Sequence, residues 1–139
     1  MTRIELLNWD AAREWASPIR FRVFVDEQSV PAEIELDEHD AQSMHALAHT
    51  QDGQVVATGR LLPDGHIGRM AVLREWRGKG IGGDILEGLV GEARRRGLRE
   101  AVLSAQSHAI AFYLRHGFRA EGAEYMEAGI PHRLMRRTL

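Results

Sequence analysis

The sequence predicts an α+β fold, a mixed, mostly antiparallel central sheet flanked by helices. Three observations carry that expectation. Residues 45–73 divide into three short strand-like runs separated by turn residues, the pattern of an antiparallel meander. After it, Ile81, Ile85, Leu89 and Ala93 lie four apart, the period of an amphipathic helix. The last meander strand, that helix, the apolar run Ala101–Ala105 and a second helical run make a strand–helix–strand–helix unit. At 139 residues, 44% hydrophobic and 27% charged, the chain fits one domain spanning residues 1–139.

The elements follow in order. Ile4–Leu7 reads as a first strand. Asp10 suits the cap of a first helical turn, and Ser17-Pro18 supplies a second N-cap with proline at the first helical position. Ile19, Val23 and Phe24 then recur at helical spacing, predicting a helix to about Glu27 that Pro31 stops. The acidic stretch Glu33, Glu35, Asp37, Glu38 and Asp40 reads as a solvated loop. His45–Thr50 and Gln54–Leu62 read as strands joined at Asp52-Gly53, and Pro63-Asp64-Gly65 turns into a third, Ile67–Leu73. Leu86 and Val90 widen the apolar stripe of the long helix, which Gly97 ends. Ser107–His116 is a second helix ended at Gly117, and Phe118–Tyr125 with His132–Thr138 closes the chain as a hairpin.

Composition excludes several chemistries. There is no cysteine, hence no disulfide, thiolate zinc site or cysteine nucleophile. The formal charge of −2 argues against a nucleic-acid partner held by a global basic field. The Arg94-Arg95-Arg96 cluster closes a helix, where positive charge complements the dipole without any partner. No apolar run approaches the roughly 20 residues that span a bilayer, and the first residues lack a signal-peptide core, so no membrane association and a cytoplasmic location are expected. Of 18 basic residues, only Lys79 is a lysine. His39 within the acidic run matches no ligand spacing, so no metal is expected.

The most informative segment runs from Ile67 to Gly83. A strand enters a turn with glycines at 78, 80, 82 and 83, and the turn opens onto the amphipathic helix. Glycines let backbone N–H groups approach a ligand, and the helix N-terminus favours phosphate oxygens. Arg77 and Lys79 add full charge. A P-loop requires Lys followed by Ser or Thr, but Gly80 follows Lys79. A dinucleotide fingerprint matches formally at Gly78, Gly80 and Gly83. The acidic residue expected near position 103 is absent, however, and the preceding strand belongs to a meander.

The spacing Arg77-Gly78-Lys79-Gly80-Ile81-Gly82 resembles the pyrophosphate motif of the GNAT N-acetyltransferase superfamily. Gln106, Ala109, Phe112, Tyr113, Gly117 and Phe118 resemble its Asn-x-x-Ala-x-x-Phe-Tyr-x-x-x-Gly-Phe pattern, with Gln106 where asparagine is usual. The resemblance implies the acyl-CoA N-acyltransferase fold and an acetyl-CoA-dependent N-acetyltransferase. In that reaction a neutral amine attacks a thioester and a thiolate departs. An alkylamine has a pKa of about 10.4 in water, so a base must take its proton. The developing oxyanion needs fixed donors, and the thiolate an acid. The resemblance places a strand that splays from its neighbour at Met70, Ala71 and Val72, leaving backbone groups for the pantetheine arm. It assigns Tyr113 as the acid, Phe112 as a pantetheine wall and Gln106 as its anchor. The base stays open among Glu27, His45 and His132.

Two further segments resemble the ElaA/YjcF-like branch of that superfamily. One is Arg22-Val23-Phe24-Val25-Asp26-Glu27-Gln28 through Pro31, and the other is Gly129-Ile130-Pro131-His132 through Met135. Flanking the acceptor side, they make Arg22, Gln28 and His132 substrate candidates and Glu27 a catalytic one; His45, outside both segments, is a further substrate candidate. The implied partner is the amine of a small molecule or peptide, and dimers are common in the superfamily. A non-catalytic acyl-CoA-binding module on the same fold is the second class; retention of Tyr113 favours catalysis.

Overall fold

The structure, a computed structural model, describes residues 2–139. Seven strands form one sheet in the order β1-β2-β3-β4-β5-β7-β6. They are β1 (Arg3–Leu7), β2 (Met44–His49), β3 (Val55–Leu61), β4 (His66–Val72), β5 (Glu100–Gln106), β6 (Arg119–Glu127) and β7 (Ile130–Thr138). All neighbours are antiparallel except β4 and β5. That single parallel pair follows from the helix α3 (Ile81–Arg95) crossing between them. Its stripe of Ile81, Ile85, Leu86, Leu89, Val90 and Ala93 is buried with Ala46, Val56, Leu61 and Leu103 of the sheet. No helix among the described residues is long and apolar enough to cross a membrane.

Two expectations about the first helical region need correction. Asn8, not Asp10, caps α1 (Trp9–Arg20): its side chain accepts the Ala11 N–H at 3.0 Å. Ser17-Pro18 does not start a new helix, because α1 runs through Pro18. A proline there removes one donor to the preceding turn, and the chain continues from Phe21 to Glu27 in wider turns with i→i+5 bonding. The second helical run is also divided, into a tight turn Ser107–Ala109 and α4 (Ile110–Arg115).

The acidic run is not a solvated loop. It contains α2 (Ala32–Glu35) and a turn at Asp40–Gln42, and Glu35 and Asp40 are almost wholly buried. Arg20 donates from Nε to Glu35 Oε2 and from Nη1 to Asp40 Oδ1, both at 2.8 Å. Arg60 reaches Asp37 and Asp40 at 2.7 and 2.9 Å, and Arg69 reaches Glu35 and Asp37 at 3.2 Å. Three carboxylates are thus consumed by three arginines from α1, β3 and β4. A chain of charges can be buried only if paired in this way.

Two irregularities open the sheet. β4 pairs with β5 only at His66↔Val102 and Ile67↔Leu103, so the rest of β4 diverges from its parallel neighbour. On its other edge, the register with β3 shifts between Thr58 and Arg60, and Arg69 adopts φ 48°. Two residues of β4 there face one of β3, a bulge that turns the strand. Gly59 sits opposite, and a Cβ on it would fall 2.8 Å from Ile85 Cγ2 and 3.1 Å from Met70 Cγ. Gly59 and Met70 therefore face α3, while Thr58 and Arg60, one residue either side of Gly59, face α1 and α2.

Candidate active site

A cleft of about 850 Å³ passes through the split between β4 and β5. Gly82, Ile85, Phe112 and Tyr113 line it on the α3 and α4 side. Thr58, Arg60, Phe24 and Gln28 line it on the side of α1 and the wide helix. The sheet is therefore pierced, and two molecules entering from opposite faces would meet at Met70, Ala71 and Val72, which also line the cleft.

On the α3 side, a second hollow of about 550 Å³ lies over the helix start. Gly78, Gly80, Ile81 and Gly82 line it, with Arg115 and His116 from α4. Gly78 and Gly80 have φ of 77° and 82°, and a Cβ on either would meet nothing within 4 Å. Their absent side chains leave open space above a helix N-terminus, a cradle that suits phosphate oxygens. The residues present thus fit a coenzyme with a pyrophosphate and a long arm. Ile81 contributes backbone only, since its side chain is buried in the core. The methyl of Ala71 likewise packs with Ile19, Val23 and Leu73.

The two basic residues of this turn differ in their surroundings. Arg77 donates to both oxygens of Glu27, at 3.1 and 2.7 Å, and from Nε to the Val72 carbonyl at 2.9 Å. Its charge is balanced within the protein, and it occupies one of the β4 groups expected to be open. Lys79 is exposed and makes no ion pair among the described residues. Glu27 faces Arg77 and Arg74, not the cleft.

The structure separates the three base candidates. Besides Glu27, His45 also stands apart: it lies buried against Trp9, its Nε2 2.9 Å from the Asp40 carbonyl, and does not line the cleft. Burial holds its pKa below the ordinary histidine value. The reason is strand order, since His45 lies on β2, and β3 and β4 stand between it and the split. His132 does line the cleft. Its Nδ1 lies 2.6 Å from the Ile130 carbonyl, which assigns the proton to Nδ1. Nε2 is left as the basic nitrogen, 3.5 Å from the Glu127 carboxylate.

Of the other substrate candidates, Arg22 points away to Glu75 and is mostly exposed. Gln28 reaches across the split, where its Oε1 accepts from Gln106 Nε2 at 2.8 Å. His108 Nε2 holds Gln106 Oε1 at 2.6 Å. Tyr113 meets Phe112 edge-on, and its hydroxyl points at Met70 Sδ, 3.8 Å away. Burial pushes that hydroxyl up to about 12. Sequence reasoning missed Arg60, Arg69 and Ser104, all of which line the cleft. Only Arg69 gave a signal, through its position beside Met70.

Comparison with known proteins agrees with this geometry. A family model described as an acetyltransferase (GNAT) domain matches residues 11–139. An uncharacterized N-acetyltransferase from Bacillus subtilis, YjcF, is 38% identical over 117 residues, covering 82% of this chain and 84% of its own. An acyl-CoA N-acyltransferase from Pseudomonas aeruginosa superposes with TM-score 0.87 at 33% identity, covering 99% of each chain. Escherichia coli ElaA superposes with TM-score 0.86 at 27% identity, covering 99% of each chain. The chain belongs to the GNAT acetyltransferase superfamily, in its ElaA/YjcF-like branch.

Proposed function

We propose that this GNAT enzyme moves an acetyl group from acetyl-CoA directly to the amine of a small molecule or peptide. The observation that carries this reading is the split between β4 and β5, which opens the sheet to a donor on one face and an acceptor on the other. When bound, acetyl-CoA supplies an activated thioester: the C–N bond forms, the C–S bond breaks, the amine loses a proton and the sulfur gains one. The Gly78–Gly82 backbone and Lys79 hold the pyrophosphate, while the unpaired β4 edge at Met70 and Ala71 orients the pantetheine arm. Phe112 walls that arm, and Gln106, tied to Gln28, anchors it. A backbone N–H at Met70 faces the carbonyl oxygen as its charge grows, the kind of fixed donor that accelerates acyl transfer most.

Proton movement falls to two side chains. His132 takes the amine's proton at Nε2, with Nδ1 anchored on the Ile130 carbonyl. The Glu127 carboxylate, 3.5 Å from that same Nε2, then balances the imidazolium. Tyr113, kept protonated by burial, donates to the leaving sulfur.

The test is an amine screen with acetyl-CoA, following thiol release and the mass of the product. Acetyl-CoA binding without turnover of any amine would replace this reading by an acyl-CoA sensor. The turn is tested separately by calorimetry. Gly80→Glu is expected to weaken acetyl-CoA binding at least thirtyfold, because a carboxylate would occupy the phosphate cradle and a side chain at φ 82° is strained. Gly91→Glu, on the exposed face of α3, is expected to bind normally. Equal affinities in both variants would remove the turn from the site.

A further inference from the structure

The acceptor end of the cleft is faced by guanidinium groups, although the sequence places a run of carboxylates beside it. Glu35, Asp37 and Asp40 all bind arginines, which removes them as anchors for a cationic acceptor. Arg60 is 6% exposed and lines the cleft. A guanidinium carries five N–H groups. Arg60 spends both Nη1 hydrogens on Asp37 and Asp40, and one of the Nη2 pair on Asp37. Its buried Nε has no partner among the described residues. The two hydrogens left over, on Nε and Nη2, share one edge of the planar group, a fork open only in having no acceptor among the described residues. An unpaired buried donor is destabilising unless something accepts from it.

Arg69 stands beside that fork. It is part-exposed, lines the cleft, and uses Nε and Nη2 on the 34–37 segment, while its Nη1 makes no hydrogen bond among the described residues. Its positive φ belongs to the bulge in β4. For a residue other than glycine such a conformation is held by its surroundings at a cost, as often happens at binding sites.

Resting on the acetyl-transfer reading, we infer that the acceptor is an amine that also carries a carboxylate, and that the carboxylate binds the open fork of Arg60 beside Arg69. A carboxylate matches a guanidinium edge with two parallel bonds. The neighbouring Glu35 and Asp37 favour a monoanion over a doubly charged phosphate. Spacing bounds the acceptor's size. Arg69 directly precedes Met70, and Arg60 pairs with Gly68, two residues before it. One strand residue spans about 3.3 Å, so both arginines are rooted within about two residues of the splayed edge, and a compact acceptor suits that span. An α-, β- or γ-amino acid has those dimensions, whereas a plain alkylamine or polyamine leaves the fork unpaired.

The experiment compares kcat/KM for a panel of amino acids, each paired with its carboxamide and with the amine lacking the carboxylate. The carboxylated member of at least one pair is expected to exceed both others by tenfold or more. In Arg69→Gln and Arg60→Lys that ratio is expected to fall to about one. A merely structural role would lower all three members together and keep the ratio. Melting curves identify any variant that fails to fold, and Arg69, being part-exposed, serves if Arg60→Lys does not fold.

Equal or better use of the uncharged or cationic members, or preference for an aminophosphonate, overturns the inference while leaving acetyl transfer intact. So does an unchanged ratio in both variants, which would mean that the fork holds water only. If no amine is acetylated, calorimetry of the same amino acids on CoA-bound protein decides. Binding that Arg69→Gln abolishes supports the carboxylate site without catalysis, and no binding overturns it. Loss of acetyl-CoA binding itself would instead refute the donor reading.

Discussion

Tyr113→Phe is expected to lower kcat by about a hundredfold with little change in acetyl-CoA affinity, the signature of a group that acts as sulfur departs. Among the described residues the hydroxyl has one hydrogen-bond partner, Met70 Sδ at 3.8 Å, so its removal strands no strong partner. The ring keeps its edge contacts with Phe112 and Phe118, and the melting temperature should hardly move. Burial raises the hydroxyl to about 12, so it stays protonated over the working pH range. A thiol titrates near 8.5 in water, which makes tyrosine a reluctant donor to a solvated thiolate. Burial of the sulfur raises its affinity for a proton too and narrows that gap. Thiol release with an accepted amine, measured from pH 6 to 9, checks this. An unchanged rate across that range would exclude Tyr113 as the acid.

Arg20→Ala is expected to destabilise the fold by about 3–5 kcal/mol, lowering the melting temperature by roughly 10–15 °C. Arg20 is 1% exposed and makes four hydrogen bonds to Glu35 and Asp40, with its guanidinium over the Trp9 ring. Its loss leaves two buried carboxylates under-compensated. Arg20→Met/Glu35→Gln should recover part of the deficit by removing one of those charges; no recovery would contradict the electrostatic account.

The pH dependence has a definite sign. Arginines hold Asp37 and Asp40 below 3.8 against the opposing effect of burial. Their stabilisation is present above that pH and is lost as acid protonates them in the folded state. Glu35 behaves oppositely, because burial outweighs its arginines and raises it above 4.5. Its contribution is full below pH 4.5 and declines as pH rises through the folded value. In Arg20→Ala the main group opposing that rise is gone. The stability gap between variant and wild type should therefore narrow from pH 7 to pH 4.5, as thermal melts would show. A constant gap would mean that Arg20 acts through packing alone.

Much of the proposed donor side is legible in the sequence. The turn at residues 77–82, proposed to hold the pyrophosphate, stands out because binding phosphate through backbone demands glycines, and glycine spacing is written in the sequence. Tyr113 and Gln106 followed from a second spaced pattern. The acceptor side was far less legible. Glu27 and His45 looked as eligible as His132, yet one is bound to Arg77 and another lies under Trp9. Side-chain type sets what a residue can do, but neighbours from distant segments decide whether it is free to do it. The acidic run shows the same limit. Its charges read as solvated until Arg20, Arg60 and Arg69 converge on them from 15 to 34 residues away.

The sequence alone thus determined the α+β class, the order of strands and helices and the glycine-rich turn before α3, since each depends on local periodicity or on backbone freedom. The resemblance implied a splay at Met70–Val72, and the tertiary structure set its extent, with β4 and β5 parting after two paired residues. Only the tertiary structure decided that Glu35, Asp37 and Asp40 are spent on arginines and that Arg60, lining the cleft, keeps an unpartnered Nε. Those outcomes arise from register and from long-range ion pairing, which link residues that no local pattern connects.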